Sequence, residues 1–564
     1  MSRSLRLLAA SLFLCPVAIP AQTTPATTIQ ITSRIVYIDV VVRDSAGRIV
    51  RGLTEKDFRV LEDGKPQTVT LFSDHTHDPA PDITRSSNSG DKLEFENVDA
   101  SGTASNSVNI ILFDFLNTAP QDQLYARKQM IRFLEALPPG RQTALFVLDS
   151  RLRMLQSFTG GTDRLVAAAK RMMPEPSSVE TIGEEQQDAD LGSAFAAAIG
   201  RSPSGRDPIS GEGILRHGQD EIQAAAITQT ALEQIAAAVS GYPGRKNLYW
   251  LADNFPAYGG PALELHDAAQ SMINSSMSTA DMADANNAEA SAQIAIYPIS
   301  LMGLDASGMG AEARGMTSTQ QMFTARVAMH EMLNNLADTT GGRAYYGTND
   351  FAGALGRGFE DGSNYYSLAY EPQNEKWNGQ FRKISVKLAE RGYSLTYRRG
   401  YYARPDSDAN ADSAALLNAA LQPETPEVTM LQLHAKIQLP DKTHPALRVD
   451  SIIDPANVNF SSDSAGRRHA RLLVSLVAIP DAIPDSNKDQ EKTPTTPMQA
   501  SGIYVVDLDP AGFIKLLTAG MPMHQELHLA PGNYRLRLGV TDLSNHRLGT
   551  LDMPIQVEAS TGPA

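Results

Sequence analysis

The chain predicts an α/β fold, a doubly wound and mostly parallel sheet of Rossmann type. A small β module precedes it and a β-sandwich-like domain follows. Three features of the 564 residues predict this. From Val108 onward, short apolar runs alternate with helix-length amphipathic stretches, the order that gives parallel strands covered on both faces. On either side of that region the period drops to two, as in half-buried antiparallel strands. Hydrophobic residues reach 42% against 20% charged, enough to bury separate cores in a chain of this length.

In order along the chain, residues 1–21 read as a secretory signal. Arg3 and Arg6 precede a short apolar stretch, and Ile19-Pro20-Ala21 ends it with a small residue. The only cysteine, Cys15, falls inside that signal, so the expected mature chain has no disulfide and rests on its packed cores. No later run is apolar enough for a transmembrane helix. The expected location is therefore periplasmic or secreted. Residues 28–74 form the small β module. It holds a β-branched run at 35–42, alternating runs at 57–61 and 67–72, and a hairpin signal at Asp63-Gly64. Residues 75–106 are polar and aperiodic, a linker.

The α/β domain spans 107–403. Its strands are expected at 108–113, 144–148, 247–251 and 294–299, where apolar residues run nearly unbroken. Helices are expected at 121–137, from Thr162 or Asp163 through Met172, at 221–239 and at 320–336. Insertions lie near 175–215 and 257–290. After Phe351 the pattern returns to strands at 365–370, 383–388 and 393–397. Residues 404–428 form a second linker, and 429–558 form the β-sandwich-like domain, with a polar loop at 481–498 and one turn near 513–517.

The formal net charge is −15. Phosphate backbones need a basic footprint, so nucleic acid is excluded as the main partner. No nucleophile elbow, phosphate loop or dinucleotide fingerprint occurs, and the mature chain has no thiol nucleophile. The eleven histidines are scattered. His75 and His77 sit in the linker, and His524 and His528 are four apart in a strand-like segment, about 13 Å along it, which reads as a solvated edge. Asp485 to Asp489 starts like a calcium loop but lacks its glycine and closing glutamate. Tyr365, Tyr366, Tyr370, Tyr401 and Tyr402 lie at spacings that pack a sheet.

Ligands of open parallel sheets bind beyond the carboxyl ends of the strands. Asp114 and Asp253 stand at two such ends. The surrounding motifs are Phe113-Asp114-Phe115-Leu116-Asn117-Thr118, Gly244-Arg245-Lys246-Asn247-Leu248-Tyr249-Trp250-Leu251, Thr340-Gly341-Gly342-Arg343 and Tyr366-Ser367-Leu368-Ala369-Tyr370-Glu371-Pro372. Arg399-Gly400-Tyr401-Tyr402 and the upstream Leu53-Thr54-Glu55-Lys56-Asp57-Phe58 complete the set. In this order they resemble the exported von Willebrand factor A-related proteins of acidobacteria, over about half of the chain.

The resemblance implies a von Willebrand factor A-like domain with a metal-ion-dependent adhesion site. There Mg²⁺ or another divalent cation is held by oxygen ligands and completed by an acidic group from a partner. Carried over to this chain, Asp114, Thr118 and Asp253 are the implied ligands. Asn117, Thr228 and Thr230 are further candidates. The site is degenerate, because Leu116 stands where the family has a serine and cannot ligate. The competing reading has Asp114 and Asp253 accepting hydrogens from loop amides or from the N-terminus of a helix.

The expected function is an exported, non-enzymatic binding or scaffolding protein. It would use the top of the α/β domain in adhesion to another exported or envelope protein. The alternatives are a cation-dependent hydrolase of envelope polymers, for which no base is evident, and a purely structural envelope protein.

Overall fold

The structure, a computed structural model, describes residues 35–76, 93–98, 107–172, 211–255, 294–302, 319–403, 413–480 and 498–558, apart from positions 243, 375, 424 and 442. Strands β1 (Val36–Arg43), β2 (Phe58–Glu62), β3 (Lys65–Gln67), β4 (Val69–Asp74) and β5 (Glu94–Glu96) come first. Then follow β6 (Ser107–Asp114), α1 (Pro120–Ala136), β7 (Thr143–Leu148), β8 (Leu152–Thr159), α2 (Thr162–Arg171), α3 (Gly211–Val239), β9 (Arg245–Ala252), β10 (Ile294–Ser300), α4 (Thr319–Thr340) and α5 (Phe351–Ser363). Strands β11 (Tyr366–Tyr370), β12 (Phe381–Leu388), β13 (Ser394–Thr396) and β14 (Gly400–Tyr402) precede α6 (Ser413–Ala420). The chain ends in β15 (Leu433–Gln438), β16 (Leu447–Ile453), β17 (Ser461–Ser462), β18 (Arg468–Pro480), β19 (Met498–Leu508), α7 (Pro510–Ala519), β20 (Met521–Leu527), β21 (Gly532–Asp542) and β22 (Leu548–Val557).

The apolar runs form the central sheet, in the order β10-β9-β6-β7-β8. All neighbours are parallel except the edge strand β8, which runs antiparallel to β7. Successive residues of each run serve opposite faces. Ile111, Phe113, Leu145, Val147, Tyr249 and Leu251 pack under α1, α2 and α5. Ile110, Leu112, Phe146, Leu248 and Trp250 pack under α3 and α4. Each such side chain contributes about 1.5–3 kcal/mol by leaving water, which is why continuous apolar runs become central strands. Strand order reverses between β6 and β9, and a crevice at the carboxyl ends belongs there.

Two elements of this domain differ from the expectation. Strand β8 was not anticipated. Residues 351–363 are helix α5, where strands were expected to resume. Asp350 caps it, its carboxylate accepting the Gly353 amide hydrogen at 2.9 Å. Glycines lower helix propensity and hid the pattern, yet two of them are required by close packing. A Cβ on Gly358 would lie 2.8 Å from Tyr249 Cε1, and one on Gly362 would lie 2.5 Å from Asn247 Cγ. The helix backbone therefore sits directly on the sheet. Tyr249 OH donates to Gly358 O at 3.2 Å and Asn247 Nδ2 to Gly362 O at 3.1 Å.

The domain boundaries also change. The N-terminal strands are not a separate module, and 365–403 does not belong to the α/β domain. Strand β1 pairs with β11 and β13, and β2 pairs with β12. Sheets β13-β1-β11-β4 and β14-β12-β2-β3 enclose one core of Val36, Ile38, Val40, Val60, Tyr366, Leu368, Tyr370 and Ile384. This first β domain is built from both sides of the α/β domain, which ends at Ser363 instead of 403. The expected linker 75–106 supplies β5, which pairs with β15. The expected linker 404–428 contains α6, whose Leu417 packs at Gly539 of β21.

Residues 429–558 do form two facing sheets, β20-β16-β15-β5 and β17-β18-β21-β22, with β19 on the other side of β18. Leu433, Leu447, Val449, Leu472, Val474, Leu536, Leu538 and Met553 fill the space between them. Helix α7 stands where only a turn was expected, with Asp509 as its N-cap. Among the described residues no helix is long and apolar enough to cross a membrane.

Both β domains fasten to the amino end of the central sheet. Arg245, the first residue of β9, donates from Nη2 to Tyr297 OH at 3.1 Å and Gly341 O at 2.6 Å, and its Nη1 lies 3.9 Å from Asp39 Oδ2 of β1. An ion pair between Arg43 of β1 and Asp361 of α5 adds to this junction. The second β domain is tied through Thr429, whose hydroxyl accepts from Gly241 N at 2.9 Å and donates to Ala238 O at 2.8 Å. Val98, Val108, Tyr242 and Phe158 pack together beside it.

Candidate functional site

Asp114 ends β6 and Asp253 follows β9 by one residue, so neighbouring parallel strands bring both acids to the switch point. The loop 115–119 then leads into α1, which starts at Pro120, a residue suited to the first helical position. This short loop folds back on Asp114. The Asn117 backbone amide donates to Asp114 Oδ1 at 3.0 Å, and Asn117 Nδ2 donates to Asp114 Oδ2 at 2.7 Å. Trp250 Nε1 donates to the same Oδ2 at 2.9 Å. The second hydrogen of the Asn117 amide goes to Thr228 Oγ1 of α3, at 2.9 Å. Thr228 in turn donates to Ala224 O at 2.8 Å.

Asp253 is held differently. Its Oδ2 accepts the Ala119 amide hydrogen at 2.7 Å, at the start of α1. Its own amide and that of Asn254 donate to Asn117 O at 3.1 and 3.0 Å. Asp253 Oδ1 and Thr118 Oγ1 are buried without a hydrogen-bond partner. Burial pushes the Asp114 carboxyl up to about 6, against the pull of its Asn117 and Trp250 hydrogen bonds. Burial likewise pushes Asp253 up to about 7, with the Ala119 amide opposing and the charges of Asp122 and Asp114 adding.

The residues do not fit the cation that the resemblance implies. Mg²⁺ asks for near-octahedral oxygen ligation. Both oxygens of Asp114 already accept hydrogens, and the Asn117 NH₂ group lies between Asp114 and Thr228, donating to each. That amide does for these two oxygens what a small cation would do. Of the ligands that the resemblance implies, Asp253 Oδ1 and Thr118 Oγ1 remain open. Among the described residues no three His, Cys, Asp or Glu side chains are placed to hold a metal ion.

Of the candidates read from the sequence, Asp114, Asn117, Thr118, Thr228 and Asp253 are brought to this edge. Thr230 is not. It is exposed on α3 and donates to Ala226 O of its own helix at 2.9 Å. Asn117 acts through its NH₂ as a donor, not through an amide oxygen as a ligand. Trp250 was missed as part of the site. Its signal was its place on the face shared with Leu112, one pleat below Asp114. The other constellations resolve as structure. His75 stacks on Tyr365 at 4.6 Å, and His77 lies outside the described residues. His524 contacts Asp450 and Glu526 at 2.7 and 3.1 Å on the exposed face of β20. Residues 485–489 lie outside the described residues. Tyr365, Tyr366, Tyr370 and Tyr401 are buried.

No family model and no curated protein sequence matches the chain. Among solved structures it is similar to the conserved hypothetical protein BatB from Bacteroides thetaiotaomicron, at 12% identity and a TM-score of 0.23, over 45% of this chain and 96% of that one. It is also similar to a von Willebrand factor type A protein from Catenulispora acidiphila, at 10% identity and a TM-score of 0.23, over 62% of this chain and 72% of that one. A third is the PilB minor pilin from Streptococcus sanguinis, at 10% identity and a TM-score of 0.22, over 46% and 61%. At such scores the likeness carries no argument, and the α/β description rests on the strand order itself.

Proposed function

We propose that this chain is an exported, non-enzymatic interaction protein that offers the carboxyl end of its parallel sheet to a protein partner, without a cation. The observation that carries the reading is the one-sided attachment of the accessory domains. Both β domains bond to the amino end, through the Arg245–Asp39 and Arg43–Asp361 pairs and through Thr429. The carboxyl end, with Asp114, Thr118 and Asp253, is the end that open α/β sheets use for ligands. Export rests on the signal-like pattern of residues 1–21, which lie outside the described residues.

Affinity capture from envelope extract with the full chain tests the proposal. The same partner should be recovered with Mg²⁺ and with chelator. It should be lost in Asp253→Asn and kept in Lys170→Ala, a surface change on α2 where the lysine pairs with exposed Glu135. Equal recovery by both variants would overturn the assignment of the edge.

A further inference from the structure

Resting on the reading above, we propose that the carboxyl edge receives a lysine side chain from its partner directly, so that the partner supplies the positive charge and the site the acid. A cation-bridged site works the other way, with a metal on the domain and a carboxylate on the partner. Here the Asn117 NH₂ group already bridges Asp114 and Thr228, at 2.7 and 2.9 Å, leaving those two oxygens no call for a cation. What is left over is acceptor capacity. Asp253 is 6% exposed and Thr118 is 5% exposed. Each keeps one buried oxygen, Oδ1 and Oγ1, without a partner. Native proteins rarely leave such atoms unpaired, and those that remain call for an explanation.

Charge decides the kind of group that fits. Asp122 and Asp114 both add negative charge at Asp253. Among the described residues no Lys, Arg or His forms an ion pair with Asp114, Asp122 or Asp253. An incoming carboxylate would meet the charges of Asp253 and Asp122, with only the Thr118 hydroxyl free to donate to it. An incoming cation would meet attraction and two hydrogen-bond acceptors. Geometry then separates the two basic side chains. The Ala119 amide occupies Asp253 Oδ2, so a single carboxylate oxygen stays open. The arginine fork is suited to two parallel bonds with one carboxylate, whereas an ammonium is a point donor that needs only the single open oxygen, Asp253 Oδ1.

A library of random linear peptides, selected on the full chain in chelator and again in Mg²⁺, tests this. Peptides retained by the wild type and released by Asp253→Asn should share a lysine at one position. Acetylating that lysine should weaken binding about tenfold or more, the loss of one charge-assisted hydrogen bond. Thr118→Val removes the hydroxyl alone and should weaken the same peptides, which keeps the test intact if Asp253→Asn is poorly folded by circular dichroism. Enrichment of Asp or Glu in the retained peptides, or binding indifferent to acetylation, overturns the lysine assignment while leaving the edge as the binding face. Peptides retained equally by wild type and both variants overturn the edge reading as well.

Discussion

Replacing Asn117 by aspartate tests whether the amide really stands in for a cation. The substitution keeps size and shape but removes both donors of the NH₂ group, those to Asp114 Oδ2 at 2.7 Å and Thr228 Oγ1 at 2.9 Å. The lost bond to the buried carboxylate costs about 1.5–3 kcal/mol. A second carboxylate oxygen at that distance from Asp114 adds roughly 6 kcal/mol of repulsion at an effective dielectric near 20, an upper figure because one of the two acids can take up a proton instead. Together these approach the whole stability of an ordinary domain. The variant should therefore be severely destabilised in chelator at neutral pH. It should regain about 2.7 kcal/mol with Mg²⁺ or Ca²⁺ at a hundred times the dissociation constant, roughly 5–10 °C in Tm for a domain of this size. The wild type should show no shift. Thermal and urea melts of both proteins, in chelator and in millimolar cation, measure it. If the wild type is stabilised by Mg²⁺ and loses that gain in Asp114→Asn, the amide is not the substitute argued for.

Other consequences can be measured alongside. Gly356→Ala, which meets nothing within 4 Å, should stabilise α5 by about 0.5–1 kcal/mol. Gly358→Ala and Gly362→Ala should each destabilise by about 1–3 kcal/mol through overpacking against Tyr249 and Asn247, so urea midpoints should move in opposite directions. Thr228→Val should cost about 1–2 kcal/mol by leaving an Asn117 hydrogen unmatched, while exposed Thr230→Val should stay within about 0.5 kcal/mol. The Glu427 carboxyl, pushed up to about 8 by burial and by neighbouring Asp552, predicts a pH effect. Below its ordinary 4.5 both folded and unfolded states hold the proton and nothing is lost. Between there and about 8 the unfolded state releases its proton first, so stability falls as pH rises, by at most about 5 kcal/mol. Glu427→Gln should flatten that slope in melts from pH 5 to pH 8.5, and an unchanged slope would assign it to other groups.

The parts of the fold legible in the sequence were those whose signal is local. Strands β6, β7, β9 and β10 lie within a residue or two of the expected runs, because burial on both faces forces unbroken apolar sequence. Helix α5 was hidden for the opposite reason, since the glycines that admit Tyr249 and Asn247 also erase its helical pattern. Strand partnership in the antiparallel regions was illegible beyond the Asp63-Gly64 hairpin, which joins β2 to β3. A β-branched run such as 35–42 marks a strand, but nothing in it says that its partner is 366–370. The site divides the same way. Asp114 and Asp253 could be placed by the rule for strand ends. The turn of the Asn117 amide back onto Asp114, and the reach of Trp250 to the same oxygen, depend on a loop path and a strand register that no single segment contains.

The split construction of the β domains sets the order in which the molecule can be assembled. Val36 pairs opposite Tyr370, and Glu94 pairs through β5 with Lys436 of β15. At about 5–20 residues per second, a growing chain would present β1 to β4 for roughly 15–60 s before β11 emerges. During that wait the α/β domain, whose contacts are closer in sequence, can assemble up to its last helix, and α5 closes it just before β11 follows. Its folding brings residues 75 and 365 together, where His75 N donates to Tyr365 O at 3.0 Å. The central domain thus acts as a clamp that turns a loop closure of nearly three hundred residues into a local one. Damage to its core should show first as orphaned, aggregation-prone strands at the N-terminus.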